Sequence, residues 1–111
     1  MRLFSSSSSP ALLAAMLLLA ALPMQSQAQD SAALRTQALA ATCANCHGTM
    51  GRAVDGASVP GLAGLPANYV VERMLAFKAG TRPATVMHQL AKGYSDAQID
   101  QIAAYFAAQK K

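Results

Sequence analysis

Residues 43–47 read CANCH: Cys43, Ala44, Asn45, Cys46 and His47. They hold the only two cysteines of the chain and one of its two histidines. Such a concentration of ligating side chains demands a chemistry, and four are available. A redox dithiol of the C-x-x-C type follows a strand and opens a helix in a βαβ unit. Here the motif closes a helical stretch and no segment alternates like a strand. A disulfide would tie a very short loop and stabilise little. A zinc site would draw on Cys43, Cys46, His47 and His88, but the H-x₃₋₅-H spacing is missing and adjacent Cys46 and His47 diverge on a helical turn. The fourth chemistry, covalent attachment of a c-type haem, is the one this pattern serves. Two thiols three positions apart reach the two vinyl groups on one porphyrin edge, and the next imidazole lies under the iron as the proximal ligand.

The flanking sequence fits that chemistry. Residues 1–28 read as a cleaved secretory signal. Arg2 is followed by serines 5–9, an apolar run from Ala11 to Leu22, then Pro23 and a small-residue cleavage site ending at Ala28. The apolar run is too short for a bilayer span, which takes about 20 residues. The mature chain, 29–111, is expected to be periplasmic, where haem attachment takes place, with no stable membrane insertion. It makes one domain.

A domain this small has a side-chain core worth only about 3–5 kcal/mol. The mature part has no Trp and only Phe77 and Phe106 as phenylalanines, so a large apolar group is missing from the sequence. A haem at the centre of the core supplies it. Eight Lys or Arg against five Asp or Glu give residues 29–111 a charge of about +3, spread without a basic block. That pattern excludes a nucleic-acid arm and suits docking on acidic protein surfaces.

The remaining stretches predict an all-α chain of three main helices. The first runs from an Asp30 or Ser31 cap into the cysteine motif, with Leu34, Ala38, Leu39 and Thr42 on one face. A glycine-rich loop, GTMGRAVDGASVPGLAGLP (48–66), follows, long enough to wrap a bound group. The second helix starts at Pro66 or Ala67 and stops at Gly80, with Val70, Met74 and Phe77 in register. Arg82-Pro83 forbids its continuation. A short helix is expected near Thr85–Lys92. The third begins at a Ser95/Gln98 capping box, buries Ile99, Ile102, Ala103 and Phe106, and ends on Lys110 and Lys111, as the helix dipole favours.

The iron's other face needs a ligand or stays open. Met50 lies too close to His47 to cross over, and Met74 reads as core filling. Met87, in the irregular segment RPATVMHQLAKGYS, can swing its sulfur over the iron; His88 is the runner-up. The Pro60 carbonyl is a candidate acceptor for the second N–H of His47, and Leu62 a candidate packing residue on the ring. No residues resemble a general acid–base pair or an activated nucleophile, so the chain alone reads as an electron carrier and not an enzyme. The competing class is a haem enzyme or gas sensor with an open sixth site.

These residues resemble the class I cytochrome c family over essentially the whole mature chain. CANCHG matches its haem motif, VPGLAG its proline–leucine–glycine segment, YVVERMLAFKAGTRP the helix before its methionine loop, and SDAQIDQIAAYFAAQ its C-terminal helix. The resemblance implies the cytochrome c fold, with helices and loops wrapped around one haem c. It implies thioether bonds at Cys43 and Cys46, axial ligands His47 and Met87, an acceptor at Pro60 and a packing residue at Leu62. TVMHQLAKGYSDAQI is most similar to the cytochrome subunit of flavocytochrome c sulfide dehydrogenases. That similarity implies redox partner proteins, among them a flavoprotein that oxidises sulfide.

Overall fold

The computed structural model describes residues 24–111, with side chains from Asp30 onward. The expected signal segment lies outside the described residues except for its last five positions. These belong to the first helix, α1 (Met24–Ala41). The chain divides into two units between Ala33 and Leu34, and the second, Leu34–Lys111, carries everything that follows.

Within that unit α1 ends at Ala41, and a turn at Thr42 and Cys43 leads to the single-turn helix α2 (Ala44–His47). The buried face of α1 differs from the sequence expectation. Leu34 is 63% exposed and Ala38 and Thr42 are also exposed, whereas Ala40 is 2% exposed and Leu39 is half-buried. Alanine makes up so much of this helix that apolar spacing hardly marks a face. The face is chosen by size, because Ala40 is small enough to sit against Ile102 and Phe106.

Helix α3 (Ala67–Ala79) starts after Pro66 and ends at Gly80, which caps it at φ 74°. Val70 and Met74 are buried on it and Phe77 half-buried, the stripe its sequence predicts. A one-turn helix α4 (Met87–Leu90) and a 3₁₀ turn (Ala91–Gly93) occupy the segment where a short helix is expected. Helix α5 (Asp96–Ala107) opens with the full capping box: Gln98 N donates to Ser95 Oγ at 3.2 Å and Ser95 N donates to Gln98 Oε1 at 2.9 Å. It ends before Lys110 and Lys111, so the two lysines lie outside its last turn, contrary to the dipole argument. Arg52 Nε holds this tail by donating to the Lys110 carbonyl at 2.8 Å.

Helix α5 organises the core because its stripe divides between two neighbours. Ile99 and Ala103 pack with Val70 and Met74 of α3 and with Ala91; Ile102 and Phe106 pack with Ala40 of α1. Lys78 fastens the end of α3 to the start of α5, donating to the Tyr94 carbonyl at 2.8 Å and to Asp96 Oδ1 at 2.7 Å. The loop 48–66 is drawn back onto α5. Gly51 lies at φ 76° and is buried, and a Cβ there would stand 2.7 Å from the Phe106 ring, so only glycine lets the loop approach so closely. Its carbonyl accepts from Leu62 N at 2.7 Å and Ala63 N at 3.0 Å, and Gly64 N donates to the Phe106 carbonyl at 2.8 Å.

Nine hydrophobic side chains are buried among the described residues, and four of them are alanines. Protein atoms alone therefore make a thin core, as the sparse aromatics foretell. Among the described residues no strand occurs, and no helix is long and apolar enough to cross a membrane.

Candidate haem site

The core is thin because its elements surround a cavity of about 760 Å³. Its walls come from several separate stretches of the unit. The turn after α1 brings Cys43, and α2 brings Cys46 and His47; Pro60 and Leu62 come from the loop and Met87 from α4. The structure thus brings all six sequence-derived candidates to one space. Most of the remaining wall is hydrocarbon, including Val59, Leu65, Val70, Phe77 and Ile102.

The geometry of His47 decides its chemistry. Its Nδ1 lies 2.7 Å from the Pro60 carbonyl oxygen. A carbonyl only accepts, so Nδ1 donates, and in the neutral ring Nε2 keeps its lone pair. The sequence places the two residues 13 apart. The loop closes that separation through the bonds Gly51 makes with Leu62 and Ala63. Cys43 and Cys46 are free thiols. Burial pushes the Cys43 thiol up; the Thr42 hydroxyl opposes this and the nearby Cys46 adds to it.

The other sulfur and histidine candidates separate by position. Met74 lines the cavity but also sits in the packed core with Ile99 and Ala103. Met50 is 41% exposed, off the cavity wall, and its Sδ accepts from Arg52 Nη1 at 3.4 Å. His88 is not on the cavity wall, and its Nδ1 is buried without a partner. Among the described residues no three or more His, Cys, Asp or Glu gather as metal ligands, so the set of Cys43, Cys46, His47 and His88 is not assembled for zinc.

Several lining residues went unmarked in the sequence. Arg73 falls three residues after Val70, on the inward side of α3, a position periodicity could have flagged. Tyr94 could not have been found that way. Its hydroxyl meets Thr42 Oγ1 at 2.8 Å across 52 residues of sequence. Thr42 gives its one hydrogen to the Leu39 carbonyl at 2.8 Å, so Tyr94 is the donor. This bond ties the cysteine turn to the segment before α5.

Comparison with known proteins bears on the same residues. The family model for cytochrome c matches residues 33–110. The chain is 39% identical over 72 residues to the cytochrome subunit of sulfide dehydrogenase from Chlorobaculum tepidum, covering 65% of this chain and 64% of that protein. It is 35% identical over 91 residues to the thiosulfate dehydrogenase electron acceptor of Stutzerimonas stutzeri, covering 78% of this chain and 42% of that one. It is 40% identical over 74 residues to cytochrome c4 of Pseudomonas aeruginosa, covering 67% and 36%. In each case the match spans less than two thirds of the relative.

Haem c, which cytochromes c bind covalently, suits the residues present. The cavity offers two thiols, an imidazole with a free nitrogen, the thioethers of Met74 and Met87, and a wall that is mostly hydrocarbon. By its motif, its helical fold and the match over 33–110, the chain belongs to the cytochrome c family.

Proposed function

We infer that the protein is a periplasmic single-haem electron carrier. Cys43 and Cys46 form the thioether bonds, and His47 and Met87 are the axial ligands. The observation that carries this reading is the single cavity lined at once by Cys43, Cys46, His47 and Met87. Bound haem supplies reversible one-electron chemistry at its iron, which no side chain here provides. The polypeptide does the rest. Pro60 holds the His47 ring in one tautomer and one orientation, which also strengthens Nε2 as a donor. Leu62, Val70 and Phe77 exclude water, and Met87 on its short helix presents a soft sulfur that favours the reduced state.

The preference for Met87 over Met74 follows from their surroundings. Met74 is 8% exposed in the middle of α3 and fills the α3–α5 core; Met87 is half-buried at the start of a one-turn helix. The test is expression in a host that matures c-type cytochromes. The product is expected to weigh one haem more than the mature polypeptide and to show the weak long-wavelength sulfur–iron band when oxidised. Met87→Leu should abolish that band and Met74→Leu keep it. The reverse pattern, or rapid carbon monoxide binding by the reduced native protein, defeats the ligand assignment.

The similarity to the cytochrome subunit of sulfide dehydrogenase from Chlorobaculum tepidum supports a sulfide-oxidising partner as electron donor, and we take that partner to be a flavoprotein. Purification from the native periplasm should recover the two together. A free monomer without a flavin-containing companion would make the protein a general shuttle.

A further inference from the structure

The segment that carries Met87 is held unevenly at its two ends. On the entry side Arg82 N donates to the Ala76 carbonyl at 3.3 Å, and the next backbone N–H along the described chain to reach a carbonyl is that of Gln89, on Val86 at 2.9 Å. Val86 itself is 48% exposed. From Met87 onward the chain forms one short helical piece, because Leu90 and Ala91 keep helical angles where α4 passes into the 3₁₀ turn. Such a piece moves as a body, so the anchoring of its far end decides where its near end stands. The far end is Tyr94, whose N–H donates back to the Ala91 carbonyl at 3.3 Å. Tyr94 is fixed on two sides: its carbonyl accepts from Lys78 Nζ of α3 and its hydroxyl donates to Thr42 Oγ1, each at 2.8 Å.

Thr42 directly precedes Cys43, and Thr42, Cys43, Met87 and Tyr94 all line the cavity. Tyr94 packs against both parts of the core, the cluster of Ile99 and Ala91 and the cluster of Ile102 and Phe106. A phenylalanine would supply the same ring to both clusters. The hydroxyl adds only the bond to Thr42, and that bond joins the methionine segment to the cysteine turn. We propose that Tyr94 is a positioning residue for Met87. Its bond to Thr42 latches the exit of the helical piece 87–93 to the turn that holds Cys43, and so keeps the Met87 sulfur from swinging out of the cavity. This rests on the reading of Met87 as an axial ligand.

The test is the rate at which imidazole displaces Met87 in the haem-loaded, oxidised protein. At saturating imidazole that rate is set by release of the sulfur and opening of its segment. Tyr94→Phe should raise it about fivefold, the equivalent of one hydrogen bond. Thr42→Val should do the same and Thr42→Ser should keep the wild-type rate. The double variant Y94F with T42V should be no faster than either single one, because both remove the same bond. Amide hydrogen exchange gives a second readout without added ligand. The Ala91 N–H, which donates to the Met87 carbonyl, should exchange about fivefold faster in Y94F. Gly56→Ala controls for general loosening, since Gly56 lies off the cavity wall, and its imidazole rate should match wild type. A red, folded Y94F with the wild-type rate and exchange overturns the proposal. So does a double variant whose two factors multiply, or a G56A as fast as Y94F. A colourless product, or a native protein without the sulfur–iron band, defeats the ligand reading itself, a distinguishable result.

Discussion

Replacing Gly48 by alanine tests how tightly the backbone after the haem motif is constrained. Gly48 follows His47 directly and sits at φ 83°, ψ 157°, a region essentially open to glycine alone. Any other residue there carries strain of about 1–3 kcal/mol. Space adds a second penalty. A Cβ would stand 2.0 Å from the Arg52 carbonyl oxygen and 2.5 Å from its carbon. Those are backbone atoms in a segment held by Arg52 N donating to the Thr49 carbonyl at 3.1 Å and Arg52 Nε to the Lys110 carbonyl at 2.8 Å. The peptide must withdraw by about 1 Å or more to reach van der Waals distance. Doing so endangers the bond from Gly51 N to the Gly48 carbonyl, 2.8 Å, worth about 1 kcal/mol. Together these give a loss of about 2–4 kcal/mol.

Gly56 is the control, since it also has a positive φ, 78°, but nothing lies within 4 Å of its Cβ position. Gly56→Ala should lose about 1 kcal/mol, the cost of the left-handed backbone alone. Guanidinium unfolding of the haem-loaded proteins, followed by far-ultraviolet circular dichroism, measures both. Equal midpoints for the two variants, with unchanged slopes, would refute the steric argument.

Phe106→Ala should cost about 3–5 kcal/mol in the same assay, because a ring 1% exposed would leave a hole against Ala40 and Ile102; a loss below about 1 kcal/mol would show that the α1–α5 contact does not depend on it. Ser95→Ala removes the cap of α5 and should cost about 1 kcal/mol, with Ser95→Asp close to wild type, since aspartate caps equally well. If alanine and aspartate destabilise alike in thermal melts, the capping box is not what holds the helix start.

Features legible in the sequence are those with a local cause. The Ser95/Gln98 box, the stop at Gly80 and the stripe Ile99, Ile102, Ala103, Phe106 each depend on side chains within two turns of one another, and each stands where expected. The CANCH motif is likewise local. The buried face of α1 is only partly legible, through Leu39, because alanine scarcely distinguishes inside from outside; the choice falls to Ile102 and Phe106, far along the chain. Lys110 and Lys111 matched the pattern of a helix end, yet Arg52 holds the tail from the loop.

Composition and motif by themselves determined a small helical domain whose core waits for a haem, since too few bulky side chains are present and two thiols adjoin an imidazole. Only the tertiary structure decided what else meets that group. It set Nδ1 of His47 on the Pro60 carbonyl, joined Tyr94 to Thr42 across 52 residues, and turned Arg73 inward with a buried, unpaired nitrogen. An arginine on a helix reads as solvated until its neighbours in space are known. Burial and the partners of polar atoms belong to the assembled fold, and no segment carries them alone.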